Sequence, residues 1–272
     1  MKRLLLILAM SAFALGASAQ RLVILHVNDT HSHFEPVRSG LEEGLGGTIE
    51  RAAYIDSVRN AEGESNVLLV HAGDFNQGTS YYTTLKGDLE VATVNAMKYD
   101  CITLGNHEFD NGLEDLAARL ARIECPVVCS NYDFSSFELG KYVKPYTVIN
   151  RGGFRIGIFG LLTNILKVVD RNTSDRLPKF DDVETAQKWA SYLRNEEKCD
   201  LVIMLSHLGF EGEEFTDPEL VSRTRGIDAV IGGHSHTFLE ELEFRPNMDG
   251  KMIPIVQAGC WGEYAGRLEV RK

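Results

Sequence analysis

Seven short apolar runs, each closing in a polar turn, constrain this chain more than any other feature. Residues 21–28 read RLVILHVN and residues 66–72 read NVLLVHA; residues 99–104, 126–130, 154–161, 201–206 and 229–231 behave alike. Continuous Val, Ile and Leu at this length suits strands buried on both faces rather than the half-exposed strands of a sheet with one wet side. Between the runs, residues 48–59, 88–97, 113–123 and 183–194 space their apolar side chains three and four apart, the period of a helix with one buried stripe. Residues 251–270 read as strands alone. The resulting class is α/β, with layered sheets covered by helices.

The polar turns are unusually rich in chemistry. Six of the eight histidines follow apolar runs: His31 and His33 in NDTHSH, His107 in GNHEFD, His207 in SHLG, and His234 and His236 in GGHSH. Asp29 ends the first run and Asp74, in GDFNQG, ends the second, while Asn106 precedes His107. Carboxyl ends of strands are where open α/β sheets place their sites. One such residue could be a helix cap or a surface histidine, but five strand ends carrying Asp, Asn or His read as a metal centre. Carboxylate, amide carbonyl and imidazole are hard-to-borderline donors, suited to zinc, manganese, iron or cobalt and unlike a structural thiolate site. There are more donors than one ion uses, which implies two divalent ions about 3.5–4 Å apart, the spacing that clamps phosphoryl oxygens and makes a nucleophile of water at neutral pH.

Charge and cysteines narrow the function. Lys2 and Arg3, an apolar stretch from Leu4 to about Leu15, and Ala17-Ser18-Ala19 follow the order of a secretory signal peptide, with cleavage expected after Ala19. That stretch is too short for a stable membrane anchor, so residues 20–272 are expected as one periplasmic or secreted catalytic domain, without an anchor once the leader is removed. Loss of Lys2 and Arg3 deepens the formal charge from −11 to −13. A chain this acidic is ill suited to a nucleic-acid polymer; a phosphate would have to meet a local positive centre. The five cysteines show no paired CxxC spacing, and four lie in or beside apolar runs as buried thiols.

In this order, DTH, GDFNQG, GNHEFD, SHLG and GGHSH resemble the calcineurin-like metallophosphoesterases, and in particular the N-terminal catalytic domain of the secreted bacterial 5′-nucleotidase family. The terminal stretch IPIVQAGCWGEYAGRLEV, residues 253–270, adds to the resemblance, which covers nearly the whole mature chain. It implies an α/β/β/α sandwich. It also implies one ion held by Asp29, His31, Asp74 and His236, and a second held by Asp74, Asn106, His207 and His234, with Asp74 as bridge. Many family members carry Gln where His236 stands. Asn106 and His107 would face the substrate phosphate, His107 stabilising the leaving oxygen and Asp110 orienting it. His33 falls at a position that is not usually a ligand.

Asp110 or Asn111 could also cap the next helix, with Asn111 and Glu114 at capping-box spacing, a role that does not exclude orienting His107; Glu108 is expected to face solvent or to support the ligands. The nucleoside-binding domain of the family is not visible in this sequence, so a separately encoded subunit is one expectation. Three functions stay open. The first is hydrolysis of nucleotides or related phosphomonoesters. The second is phosphodiester hydrolysis of cyclic nucleotides or nucleotide sugars. The third is a weakly active metal-binding subunit of a split nucleotidase.

Overall fold

The computed structural model of the chain describes residues 20–212 and 215–271; the expected leader lies outside them. No helix among the described residues is long and apolar enough to cross a membrane. The strands are β1 (Arg21–Val27), β2 (Val67–His71), β3 (Cys101–Thr103), β4 (Val127–Val128), β5 (Val143–Lys144), β6 (Tyr146–Arg151), β7 (Phe154–Leu162), β8 (Leu201–His207), β9 (Ala229–Ile231), β10 (Glu243–Pro246), β11 (Met252–Val256) and β12 (Gly266–Arg271). They form two six-stranded sheets, ordered β12-β1-β2-β3-β4-β5 and β10-β11-β9-β8-β7-β6. β1 through β5 run parallel, as do β7, β8, β9 and β11, while β12, β6 and β10 pair antiparallel at the sheet margins.

The helices are α1 (Thr48–Glu62), α2 (Ser80–Leu85), α3 (Asp88–Ala96), α4 (Leu113–Leu120), α5 (Arg171–Ser174), α6 (Asp182–Asn195) and α7 (Asp217–Ser222). The continuous apolar runs find their cause in the layering. Along β1, Leu22 and Ile24 pack between the sheets against Ile156, Ile158 and Leu205, whereas Val23 and Leu25 pack outward with Ile55 of α1 and Val94 of α3. Along β8, Ile203 and Leu205 face the inter-sheet layer, and Val202 and Met204 meet Ala186 and Leu193 of α6. With period two and both faces covered, every position must be apolar. The architecture is therefore α/β/β/α.

The four expected helices are present as α1, α3, α4 and α6, with ends displaced by up to three residues. α2, α5 and α7 are four to six residues long, too short for an apolar stripe to repeat. β6 is half-buried along most of its length, so it lacks the solid apolar run of the central strands. All five cysteines are unbonded, with Cys101, Cys129 and Cys199 buried.

The two sheets come into close contact where β7 passes β3 and β4. The Ser130 N–H donates to Gly160 O at 2.8 Å, and a Cβ on Gly160 would overlap Val128 O and Thr103 Oγ1. Gly160→Val is expected to destabilise the fold by about 3 kcal/mol, the cost of forcing bulk into a packed layer. Denaturant unfolding measures this, and a loss under about 1 kcal/mol would show that the layer yields.

Candidate metal centre

Beyond the strand ends, the polypeptide is tied together by backbone hydrogen bonds. Asp29 N–H donates to Gly73 O at 2.9 Å and His31 N–H to Asp74 O at 3.1 Å, continuing the β1–β2 pairing into the two turns. Asn28, fully buried, reaches across to the segment between β11 and β12, accepting from Ala258 N–H at 2.8 Å and donating to Gly259 O at 2.6 Å. The His234 N–H points at both Asp29 carboxylate oxygens, 3.1 and 3.0 Å away.

The backbone at this seam is strained. Asp29, His31, Asp74, His234 and His236 all have φ between 46° and 76°, a region non-glycine residues seldom enter and which costs of order 1–3 kcal/mol each. Gly105 stands where a Cβ would overlap the Asp74 carboxylate. Strain of this kind persists where surrounding structure holds side chains at particular points.

Two adjoining groups of donors result: Asp29, His31 and His236, and Asp74, His207 and His234, the ligand atoms of each lying within 4.8 Å of one another. The groups touch through their carboxylates. Asp74 Oδ2 lies 3.0 Å from His207 Nε2 and 3.8 Å from His31 Nε2, while Asp29 Oδ1 lies 3.4 Å from His236 Nε2 and 3.8 Å from His207 Nε2.

The tautomers suit ligation. His207 Nδ1 is 2.7 Å from Ala72 O and His31 Nδ1 is 3.3 Å from Asn76 O. A carbonyl accepts only from N–H, so in each neutral ring the Nε2 lone pair faces the seam. His31 Nε2 and His236 Nε2 are 3.0 Å apart, close for two nitrogen lone pairs unless a cation or proton lies between them. His207 Nε2 and Asn106 Oδ1 are buried without a hydrogen-bond partner, the Asp74 oxygen beside His207 being off the hydrogen-bonding direction. These two unpartnered atoms, with the carboxylates and imidazoles gathered at or just after the ends of β1, β2, β8 and β9, fit a pair of divalent ions.

Electrostatics agree. Burial disfavours a charged His207, but Asp74 and then Asp29 outweigh it and push the ring up to about 10. His236 is raised to about 10 as well, chiefly by its hydrogen bond to Asp29. Burial also opposes ionisation of Asp74, yet His207 beside it holds the carboxyl well below its usual range. The seam thus calls for positive charge that no Lys or Arg among the described residues supplies.

His107 lies beside the donors, its ring 5.3 Å from that of His31. Its Nδ1 is 2.8 Å from Asp110 Oδ2, and that hydrogen bond is the main reason its pKa rises. Asp110 does not cap α4. Gly112 stands at that N-cap without any side-chain hydrogen bond, and Asn111 Nδ2 donates instead to the Tyr82 hydroxyl at 2.9 Å. His33 belongs to neither donor group; its Nδ1 is 2.8 Å from His31 O.

Glu108 corrects the expectation that it could face solvent: it is 0% exposed. Oε2 accepts from Asp74 N–H at 2.9 Å and Gly105 N–H at 2.5 Å; Oε1 accepts from Phe75 N–H at 3.0 Å and Asn76 N–H at 3.2 Å. Burial and the Asp74 charge push its pKa up to about 7, against the pull of these N–H groups. The signal was the local turn. Residues His107–Phe109 form a 3₁₀ turn, which puts His107 and Asp110 on one side and rotates Glu108 inward.

A family model for calcineurin-like phosphoesterases matches residues 22–238. The chain belongs to the calcineurin-like phosphoesterase family. Within it, the chain is 35% identical over 282 residues to the snake venom 5′-nucleotidase of Gloydius brevicauda, covering 96% of this chain and 47% of that protein. The solved 5′-nucleotidase precursor of Thermus thermophilus superposes with a TM-score of 0.83 at 35% identity, covering 92% of this chain and 51% of that one. The Haemophilus influenzae NAD nucleotidase superposes at 0.80 with 29% identity, covering 93% and 47%. The chain spans about half the length of these relatives.

Glu108→Gln would turn an –NH₂ toward backbone N–H groups that need an acceptor. A loss of roughly 2–4 kcal/mol is expected, with weakened metal retention because the backbone of Asp74, and that of Gly105 just before Asn106, loses an acceptor. Thermal unfolding with metal analysis reads both, and a variant of unchanged stability would refute the anchoring role.

Proposed function

We propose that this chain is a secreted two-metal phosphohydrolase acting on nucleotides or related phosphomonoesters. The observation that carries this reading is the pair of adjoining donor groups, together with His207 Nε2 and Asn106 Oδ1, both buried and without a hydrogen-bond partner. Asp29, His31, Asp74 and His236 would hold one ion; Asp74, Asn106, His207 and His234 would hold the other. Ions bound there supply positive charge for the phosphoryl oxygens and a nucleophile at neutral pH.

The chain's own groups do the rest. Asp110 holds the His107 ring by Nδ1, favouring its protonated form and leaving Nε2–H to hydrogen-bond the ester oxygen and donate its proton to that oxygen as it leaves. Glu108 fixes the backbone on either side of Asp74, and Gly105 lets that backbone come close.

A substrate panel on metal-analysed mature protein tests the reading. Nucleoside monophosphates and a simple aryl phosphate are expected to be hydrolysed, with activity lost on chelation. One finding favours a second reading, hydrolysis of a nucleotide diester or anhydride: the similarity to the Haemophilus influenzae NAD nucleotidase. Preference for such a substrate over a mononucleotide would select it. Further nucleoside contacts from a separately encoded subunit belong to the same proposal, and mixing the two would then shift the substrate ranking.

Asp74→Asn is expected to lower occupancy of both metal positions together, measured as metal per chain; two tightly held ions in that variant would sink the bridging assignment. His107→Ala should retain its metal while kcat falls by about 10²–10⁴-fold, the usual worth of proton transfer. Loss of metal would instead make His107 a ligand. Protein recovered after export is expected to begin at Gln20, read by N-terminal sequencing.

A further inference from the structure

Next to the donor groups lies a cleft of about 780 Å³ whose lining includes His33, Phe34, Tyr81 and Trp261. Trp261 is 44% exposed, although a large indole would ordinarily gain by burial. It stacks on His33 with ring centroids 5.2 Å apart and planes inclined by 26°. Phe34 and Tyr81 meet edge to face at 5.3 Å.

Trp261 is held in place at a cost. Its φ is +57°, an outlying conformation for a bulky side chain. Two contacts maintain it: the Trp261 N–H donates to Asp29 O at 2.6 Å, and the Arg51 guanidinium packs so tightly beneath Gly262 that a Cβ there would overlap it. The indole is thereby tied to the backbone of a donor residue, and His33 to that of His31 at 2.8 Å.

The cleft is also acidic. Glu35, Glu42 and Glu263 line it, and Arg38, the cation among the lining residues, is paired with Glu35. Partial burial and the Glu42 charge raise the Glu263 pKa, as expected of carboxylates that share a wall. An anionic group would be repelled there; a neutral group with hydrogen-bond donors would be welcomed.

We propose that this cleft receives the leaving group, and that it takes an uncharged planar ring bearing hydrogen-bond donors, a nucleoside, with Trp261 as the stacking surface. The inference rests on the hydrolase reading and adds to it a source of base preference within this chain. Stacking on an aromatic side chain is worth roughly 1–3 kcal/mol per base.

Two measurements test it. The first compares kcat/KM for adenosine 5′-monophosphate and for ribose 5-phosphate, which lacks the base. In Trp261→Ala the ratio is expected to fall roughly tenfold, within the range that stacking supports, and Trp261→Phe should recover much of it. An unchanged ratio, or equal losses on both substrates, overturns the proposal. The second uses the metal-loaded Trp189→Phe protein, in which Trp261 is the remaining tryptophan. Adenosine should quench its fluorescence saturably and ribose should not; absence of quenching overturns the proposal even if Trp261→Ala fails to fold. Quenching without turnover of any ester would retain the cleft and reject the hydrolase reading.

Discussion

Two carboxylates buried at the seam between two sheets set the terms for everything around them. Asp29 and Asp74 are 0% and 2% exposed, and a buried anion is costly unless it is paired, hydrogen-bonded or bound to a metal. Their nearest basic neighbours among the described residues are imidazoles, not guanidinium or ammonium groups. The raised pKa values of His207 and His236 express that demand. Under the proposed function, the same demand lets a strongly acidic chain suit an anionic substrate. Cations concentrated at one point outweigh a diffuse negative surface at the short range where a phosphate binds.

Holding those carboxylates requires backbone that few sequences tolerate. Five of the donor residues have left-handed φ values, and that strain is met by hydrogen bonds rather than by apolar packing. Asn28 ties the end of β1 to the segment before β12, and Glu108 ties the turn after β2 to the turn after β3. Neither residue belongs to either donor group. Both act through the positions they give to residues that do.

Much of this was legible in the sequence. The solid apolar runs marked strands buried on both faces because a two-sheet sandwich with outer helices leaves its central strands no wet side. The histidines and aspartates announced themselves by following those runs. Other features were hidden for identifiable reasons. α2 and α7 are shorter than two helical turns and leave no periodic trace. Asp110 and Asn111 carried capping chemistry, yet Gly112 begins α4 and Asp110 turns to His107. For Glu108 the sequence left open a solvent-facing carboxylate or one supporting the ligands, and the inward rotation in a 3₁₀ turn that decides for the second has no compositional signature. The Trp261 cleft joins residues 33–45 and 79–81 to residues 261–263, which no local pattern connects.

By itself, the sequence determined the layered α/β class, the strand ends and the donor types gathered at them, since these follow from local apolar period and side-chain chemistry. Only the tertiary structure decided how those donors divide into two adjoining groups, which carboxylate supports the turns rather than facing the seam, and which aromatic rings border the result. Those outcomes depend on distances of about 3 Å between residues more than 200 positions apart. Such distances are set by sheet order and backbone strain, which are properties of the folded chain and not of any stretch of it.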